Sequence, residues 1–216
     1  MYAALFDLDG TLADTMPVCF ASFRAVFLEE LGRELSDAEI EAHFGPSEEG
    51  VMRSVLGAER EAEATDRYLA HYARLHLKVS ELFDGVLEVL EACESRGMRR
   101  GIVTGKGPRS AEISSRVLGL DAHFEVVEAG SPDSWVKVER LAAILDKWGI
   151  EGSDGFYVGD HPSDVRAARE LGLVALSAAW DPCANLAALR AAKPDEIFEH
   201  PAEMLRWLTG RFSSQA

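Results

Sequence analysis

Basic residues, cysteines and long apolar runs are all scarce in this chain, and each shortage removes a class of function. Only 22 Lys and Arg stand against 37 Asp and Glu, giving a formal charge of -15 and a pI near 4.8. Nucleic acid and anionic membrane surfaces need a basic footprint and would meet repulsion instead. Cys19, Cys93 and Cys183 are odd in number, far apart and outside any metal-ligand spacing. They argue against a disulfide framework or a zinc site, and buried, reduced thiols are expected. No run approaches the roughly 18 apolar residues of a spanning helix, and the first residues lack the basic and apolar blocks of a secretion signal. A soluble cytoplasmic protein is expected, with neither nucleic acid nor membrane as partner.

What is present is enough apolar matter, 47% of 216 residues, for one good core and a small second unit. Tyr2 to Phe6 reads as a buried strand. After it, Met16 to Leu31 carries Val18, Phe20, Phe23, Phe27 and Leu31 at helical spacing before Gly32. Ser36-Asp37-Ala38-Glu39 fits a capping box for a short helix running to Gly45-Pro46. Glu48 to Leu56 and Arg60 to Leu77 give two more helices, the last with Tyr68, Tyr72 and Leu75 on one stripe. This block has no strand signal, so residues 16–79 are expected to form an all-helical cap, with residues 1–15 and 80–216 as an α/β core.

From Leu82 onward helix and strand alternate, the pattern of a doubly wound parallel sheet. Helices are expected at Val86 to Arg96, Arg109 to Leu118, Val138 to Trp148, Asp164 to Leu171 and Ala202 to Leu208. Strands are expected at Arg100 to Val103, Phe124 to Val127, Gly155 to Val158, Leu173 to Leu176 and Glu196 to Phe198. Pro162 suits a first helical position. No internal repeat or low-complexity tract interrupts this order, and only the last few residues read as a tail.

The chemistry gathers where these strands end. Asp7 and Asp9 leave the first strand two residues apart, a spacing that in extended chain points both carboxylates to one spot. Like charges that close need a divalent metal or a shared proton between them, and hard oxygen ligands favour Mg²⁺. Gly10 lets the backbone turn with its N–H groups free to cradle an anion. Thr104 follows a second strand, Asp160 a third, and Lys137 precedes a helix. Open parallel sheets bind ligands outside the carboxyl ends of their strands, so these distant residues are expected to share one crevice. Singly, a bare Asp-x-Asp is an acidic turn, Thr104 a helix cap and Lys137 a solvated lysine.

Taken together, Asp7-Leu8-Asp9-Gly10-Thr11-Leu12 and Val158-Gly159-Asp160-His161-Pro162-Ser163-Asp164 resemble the first and fourth motifs of the haloacid dehalogenase-like (HAD) phosphatases. Thr104 and Lys137 resemble the second and third. Val138 stands where the family often has proline, and Lys106 competes for the lysine's place. The helical cap is similar to that of the phosphoglycolate phosphatase-like branch. This resemblance implies a Mg²⁺-dependent phosphatase for small phosphomonoesters, phosphoglycolate-like or sugar phosphates, with Asp7 as nucleophile and Asp9 as acid and base. It implies that Gly10, Thr104, Gly105 and Lys137 hold the substrate phosphate. The metal would sit on Asp7, the Asp9 carbonyl and Asp160, with Asp164 binding through water or orienting Lys137. Having Asp9 separates the chain from the dehalogenases. Sugar-phosphate mutases tend to carry a histidine in the first cap helix, where Cys19 and Phe20 stand here. A phospho-accepting regulatory module is the alternative from another class, opposed by the helical insertion. His43, Phe44, Ser47 and Arg53 are candidates to face the crevice from the cap. Monomer and homodimer both remain open.

Overall fold

A computed structural model of the chain describes residues 1–212; the residues read as a tail lie beyond that range. Six strands build one parallel sheet: β1 (Ala3–Phe6), β2 (Arg99–Val103), β3 (Val126–Glu128), β4 (Gly155–Gly159), β5 (Val174–Ala178) and β6 (Glu196–Phe198). Their spatial order is β3-β2-β1-β4-β5-β6, so β1 is central and the chain order reverses beside it. Phe6 is level with Ile102 on one side and Val158 on the other. The register therefore brings the ends of β1, β2 and β4 to the same edge, and this is why residues some 150 positions apart meet.

Side-chain alternation splits the core between the two faces of the sheet. Ala4 and Phe6 of β1 join Ile102, Phe156 and Val158 against α5 (Val86–Glu94) and α10 (Pro201–Arg211). Ala3 and Leu5 join Val103, Tyr157 and Ala175 against α7 (Lys137–Trp148) and α8 (Pro162–Glu170). α6 (Pro108–Leu118) follows β2, and α9 (Leu186–Ala192) precedes β6.

Between β1 and β2 come four helices before α5: α1 (Met16–Leu31), α2 (Asp37–Glu41), α3 (Glu48–Leu56) and α4 (Ala58–His76). They share an apolar cluster of their own around Phe23, Phe27, Met52, Tyr68 and Tyr72. Phe23 and Tyr68 meet at 4.5 Å between ring centres. The Ser36 side chain and Glu39 form the capping box of α2, which stops at Glu41, short of Gly45-Pro46. No helix among the described residues is long and apolar enough to cross a membrane.

Several boundaries differ from the sequence expectation. β3 begins at Val126 because residues 120–122 close a 3₁₀ turn first. Lys137 and Pro108 are the first residues of their helices rather than the residues before them. α9 has no counterpart in the reading of the sequence. It has seven residues and buries only Leu189, too little for a periodic signal. Cys19 and Cys93 are buried free thiols as expected, but Cys183 is exposed.

Candidate active site

The crevice at the carboxyl edge of the sheet holds two lysine-centred clusters. In the first, Asp7 continues β1 by donating its N–H to Val158 O at 2.8 Å. Its Oδ1 accepts from Leu8 N at 2.7 Å, and its Oδ2 accepts from Lys137 Nζ. Lys137 also donates to Asp164 Oδ1 at 2.6 Å. Asp164 Oδ2 in turn accepts from His161 N at 3.0 Å, so the carboxylate that caps α8 also aims the lysine. The His161 ring caps the same helix from an exposed position.

Asp160 joins Asp7 and Asp164. One carboxylate oxygen each from Asp7, Asp160 and Asp164 falls within 4.8 Å of the other two. Gly10 makes this possible: it adopts φ +67°, and a Cβ there would collide with Asp160 Oδ2. Burial, opposed by Lys137 and reinforced by Asp164 and Asp9, pushes the Asp7 carboxyl up to about 6. Loss of hydration, then the charges of Asp7 and Asp164, hold Asp160 well above the usual carboxylate range. Burial works against the Lys137 charge, yet Asp164 and Asp7 keep its ammonium well above the ordinary lysine value. Three crowded oxygen donors whose repulsion raises two of their own pKa values suit a hard divalent cation such as Mg²⁺.

The second cluster surrounds Asp9. Asp9 Oδ1 accepts from Thr15 Oγ1 and from Lys106 Nζ at 3.1 Å. Lys106 also donates to Cys19 Sγ at 3.0 Å and lies 4.4 Å from the Tyr72 ring centre. Burial pushes the Cys19 thiol up to about 12, so it stays protonated.

Thr104 is buried at the end of β2, its N–H on Glu128 O at 3.0 Å and its Oγ1 accepting from Lys106 N at 3.3 Å. It does not cap α6, whose N-cap is Gly107. Gly105, next to it, has open space on its side-chain side.

A family model described as haloacid dehalogenase-like hydrolase matches residues 4–178. The chain belongs to the haloacid dehalogenase-like hydrolases. It is 31% identical to a phosphoglycolate phosphatase of Synechococcus elongatus over 97% of this chain and 98% of that one. A phosphoglycolate phosphatase of Rhodospirillum rubrum is 30% identical over 95% and 90%. A haloacid dehalogenase-like hydrolase from Streptococcus pneumoniae superposes with a TM-score of 0.77 at 26% identity, covering 96% of this chain and 98% of that one. The protein is thus a HAD enzyme, a phosphoric monoester hydrolase similar to phosphoglycolate phosphatases.

Within this HAD hydrolase both candidate lysines reach the crevice, Lys137 on Asp7 and Lys106 on Asp9. Of the cap candidates, Ser47 is buried and its N–H meets Ser131 O at 2.8 Å. His43 pairs with exposed Ser54, Phe44 stacks on Phe20 and Arg53 binds Glu61 and Asp133. The residue that enters the site is their neighbour Glu48, which accepts from Gly107 N at 2.5 Å and Ser110 Oγ at 2.6 Å. By sequence Glu48 is only the start of a helix, and Tyr68 and Tyr72 lie on one packing stripe. A glutamate in a first helical turn is ordinary, and no spacing signal marks this one.

Proposed function

We propose that this HAD phosphatase hydrolyses small phosphomonoesters with Mg²⁺, in two displacements through an aspartyl-phosphate on Asp7. The observation that carries the reading is the fixed posture of Asp7, buried at the end of the central strand between the Leu8 N–H and the Lys137 ammonium. A carboxylate held in one orientation attacks phosphorus without first ordering itself. Asp9 gives a proton to the departing oxygen, then takes one from the water that opens the acyl phosphate. Thr15 and Lys106 both donate to its Oδ1, so Oδ2 is the oxygen assigned to the travelling proton. Lys137 offsets charge on Asp7 and the phosphoryl group, while Thr104, Gly105 and the Gly10 turn supply donors to the phosphoryl oxygens. Asp7, Asp160 and the Asp9 carbonyl would hold Mg²⁺, with Asp164 orienting Lys137. When bound, the ion neutralises phosphoryl charge and aligns the group for in-line attack.

The helices between β1 and β2 serve as a cap over residues 16–79 that excludes bulk water during turnover. Hydrolysis is favoured over a mutase reaction by the environment of Cys19. Its Sγ is 3.9 Å from Asp9 Oδ1, where a protonated thiol supplies no base. Phosphoglycolate-like esters and sugar phosphates are the substrate candidates, and the site of action is cytoplasmic.

Release of inorganic phosphate from a panel of small esters and p-nitrophenyl phosphate tests the reading. With Mg²⁺ the wild type should turn over, a chelator should stop it, and Asp7→Asn should lose at least about 1,000-fold in kcat, the scale of losing a covalent nucleophile. An Asp7→Asn protein with full turnover would contradict it.

A further inference from the structure

By its place in the chain α6 belongs to the α/β core, but it packs chiefly on α4 of the cap and on the 3₁₀ turn that follows it. On its other side a cavity of about 280 Å³, lined by Pro108, Ala111, Ser115, Val127 and Ala129, lies between the helix and β3. The helix leans on the lid and stands off from the sheet.

Its bonds on the lid side are buried. Ser114 Oγ is 2.9 Å from the Tyr72 hydroxyl and 3.1 Å from His76 Nε2, while His76 Nδ1 is 2.8 Å from Val79 O. One turn earlier, the Ser110 hydroxyl and the Gly107 N–H hold Glu48, and Ile113 packs against the apolar cluster of the cap. Ser110, Ser114, Tyr72 and His76 are all buried. Sliding the cap across α6 would strip these groups of their partners, at about 1–3 kcal/mol for each.

The cap also meets the loop before α7, and there its grip is looser. Arg53 and Asp133 pair at 2.8 Å with both side chains exposed, and Ser131, whose carbonyl accepts from Ser47 N, is only half-buried. Water replaces an exposed ion pair at little cost. The turn ahead of α6 stays with the sheet, because Lys106 O accepts from Gly130 N at 2.7 Å. Gly107 then caps the helix and Gly119, at φ +67°, ends it. Leu118 beside Gly119 is rooted in the core, so glycines mark both places where the backbone can bend.

We propose that α6 is a mechanical part of the lid: residues 107–118 move with the cap as one body, bending at Gly107 and Gly119, and the cleft beside β3 is the joint. Ser110 and Ser114 are the positioning residues that make the union. This rests on the lid role given above to residues 16–79.

Two exposed ion pairs of similar length supply the test. Asp66 and Arg109, 2.7 Å apart, join the cap to α6 inside the proposed body, whereas Arg53 and Asp133 cross its boundary. In a Cys183→Ser background, which removes the exposed native thiol, each pair is replaced by cysteines and bridged with a reductively cleavable bismaleimide. Bridging Asp66→Cys to Arg109→Cys should leave kcat/KM for p-nitrophenyl phosphate with Mg²⁺ within about twofold of the unbridged protein. Bridging Arg53→Cys to Asp133→Cys should lower it by at least about tenfold, with recovery when the bridge is cleaved. Inhibition by the first bridge, or tolerance of both, overturns the proposal. Native-state hydrogen exchange of the wild type in low urea adds a readout that needs neither a variant nor turnover: amides of 108–118 should open with those of 64–76 and separately from β2. Opening of α6 with β2 instead of α4 overturns the proposal even if both bridges behave as expected. If the unbridged protein does not hydrolyse p-nitrophenyl phosphate, the phosphatase reading falls and the exchange pattern alone decides for or against the joint body.

Discussion

Asp7 combines a chemical task with a thermodynamic burden. Burial dominates its environment and, with Asp164 and Asp9 adding to it against Lys137, lifts its pKa from 3.8 to about 6. A carboxyl raised in the folded state binds its proton more tightly there than in the unfolded chain. Stability is therefore highest below the unfolded value and falls as pH rises between 3.8 and about 6, flattening above. About two pKa units correspond to roughly 3 kcal/mol. Asp7→Asn mimics the neutral form, so in chelator-treated buffer it should exceed the wild type in stability at pH 7.5 by up to that amount. Urea unfolding at a series of pH values checks this: the gap should close near pH 4, and a pH-independent gap would refute it. The nucleophile thus weakens the fold it belongs to, as charged groups gathered for chemistry commonly do.

At the scale of the element, the turn after β1 matters as much as the strand. Gly10 and Gly32 both adopt φ +67°, but a Cβ at Gly10 strikes Asp160 Oδ2 whereas one at Gly32 meets open space. Each Ala substitution should cost about 1–2 kcal/mol for the left-handed backbone, measurable by denaturant unfolding. Only Gly10→Ala should also displace Asp160, reducing turnover by about 100-fold or more and raising the Mg²⁺ concentration needed for half-maximal activity. Gly32→Ala should keep wild-type kinetics. Equal kinetic losses in the two would mean that backbone strain, and not the Asp160 contact, governs the site.

For the whole molecule, the decisive contact is the one between the helical insertion and the α/β core. Glu48 reaches from α3 to the N-terminus of α6, Ser47 N meets Ser131 O at 2.8 Å, and Arg53 pairs with Asp133 at 2.8 Å. The last pair is exposed and contributes little. Glu48 is buried, and removing it would leave the Gly107 N–H and Ser110 hydroxyl without their acceptor, a penalty of about 1–3 kcal/mol for each buried polar group. Glu48→Ala should therefore speed amide hydrogen exchange at 107–111 and 47–52 while β4 keeps its protection. Unchanged exchange at both segments would show that apolar packing alone seats α3 on the core.

The parallel α/β plan, the four helices after β1 and the placement of Asp7, Asp9, Thr104 and Asp160 at strand ends were all legible in the order of the residues. Those features depend on local periodicity and turn chemistry, which neighbouring residues encode. The sequence also contained both lysines, with Lys137 favoured as the motif lysine, but gave Lys106 no partner. The pairing of Lys137 with Asp164 was already implied by the motif resemblance, whereas the placement of Lys106 on Asp9 came from the folded chain alone. It likewise turned Glu48, Cys19 and Tyr68 from a helix start, a spare thiol and a packing stripe into the surroundings of the second lysine. The physical reason is that a buried ion pair between elements is set by strand register and helix docking, and neither leaves a spacing in the chain to read.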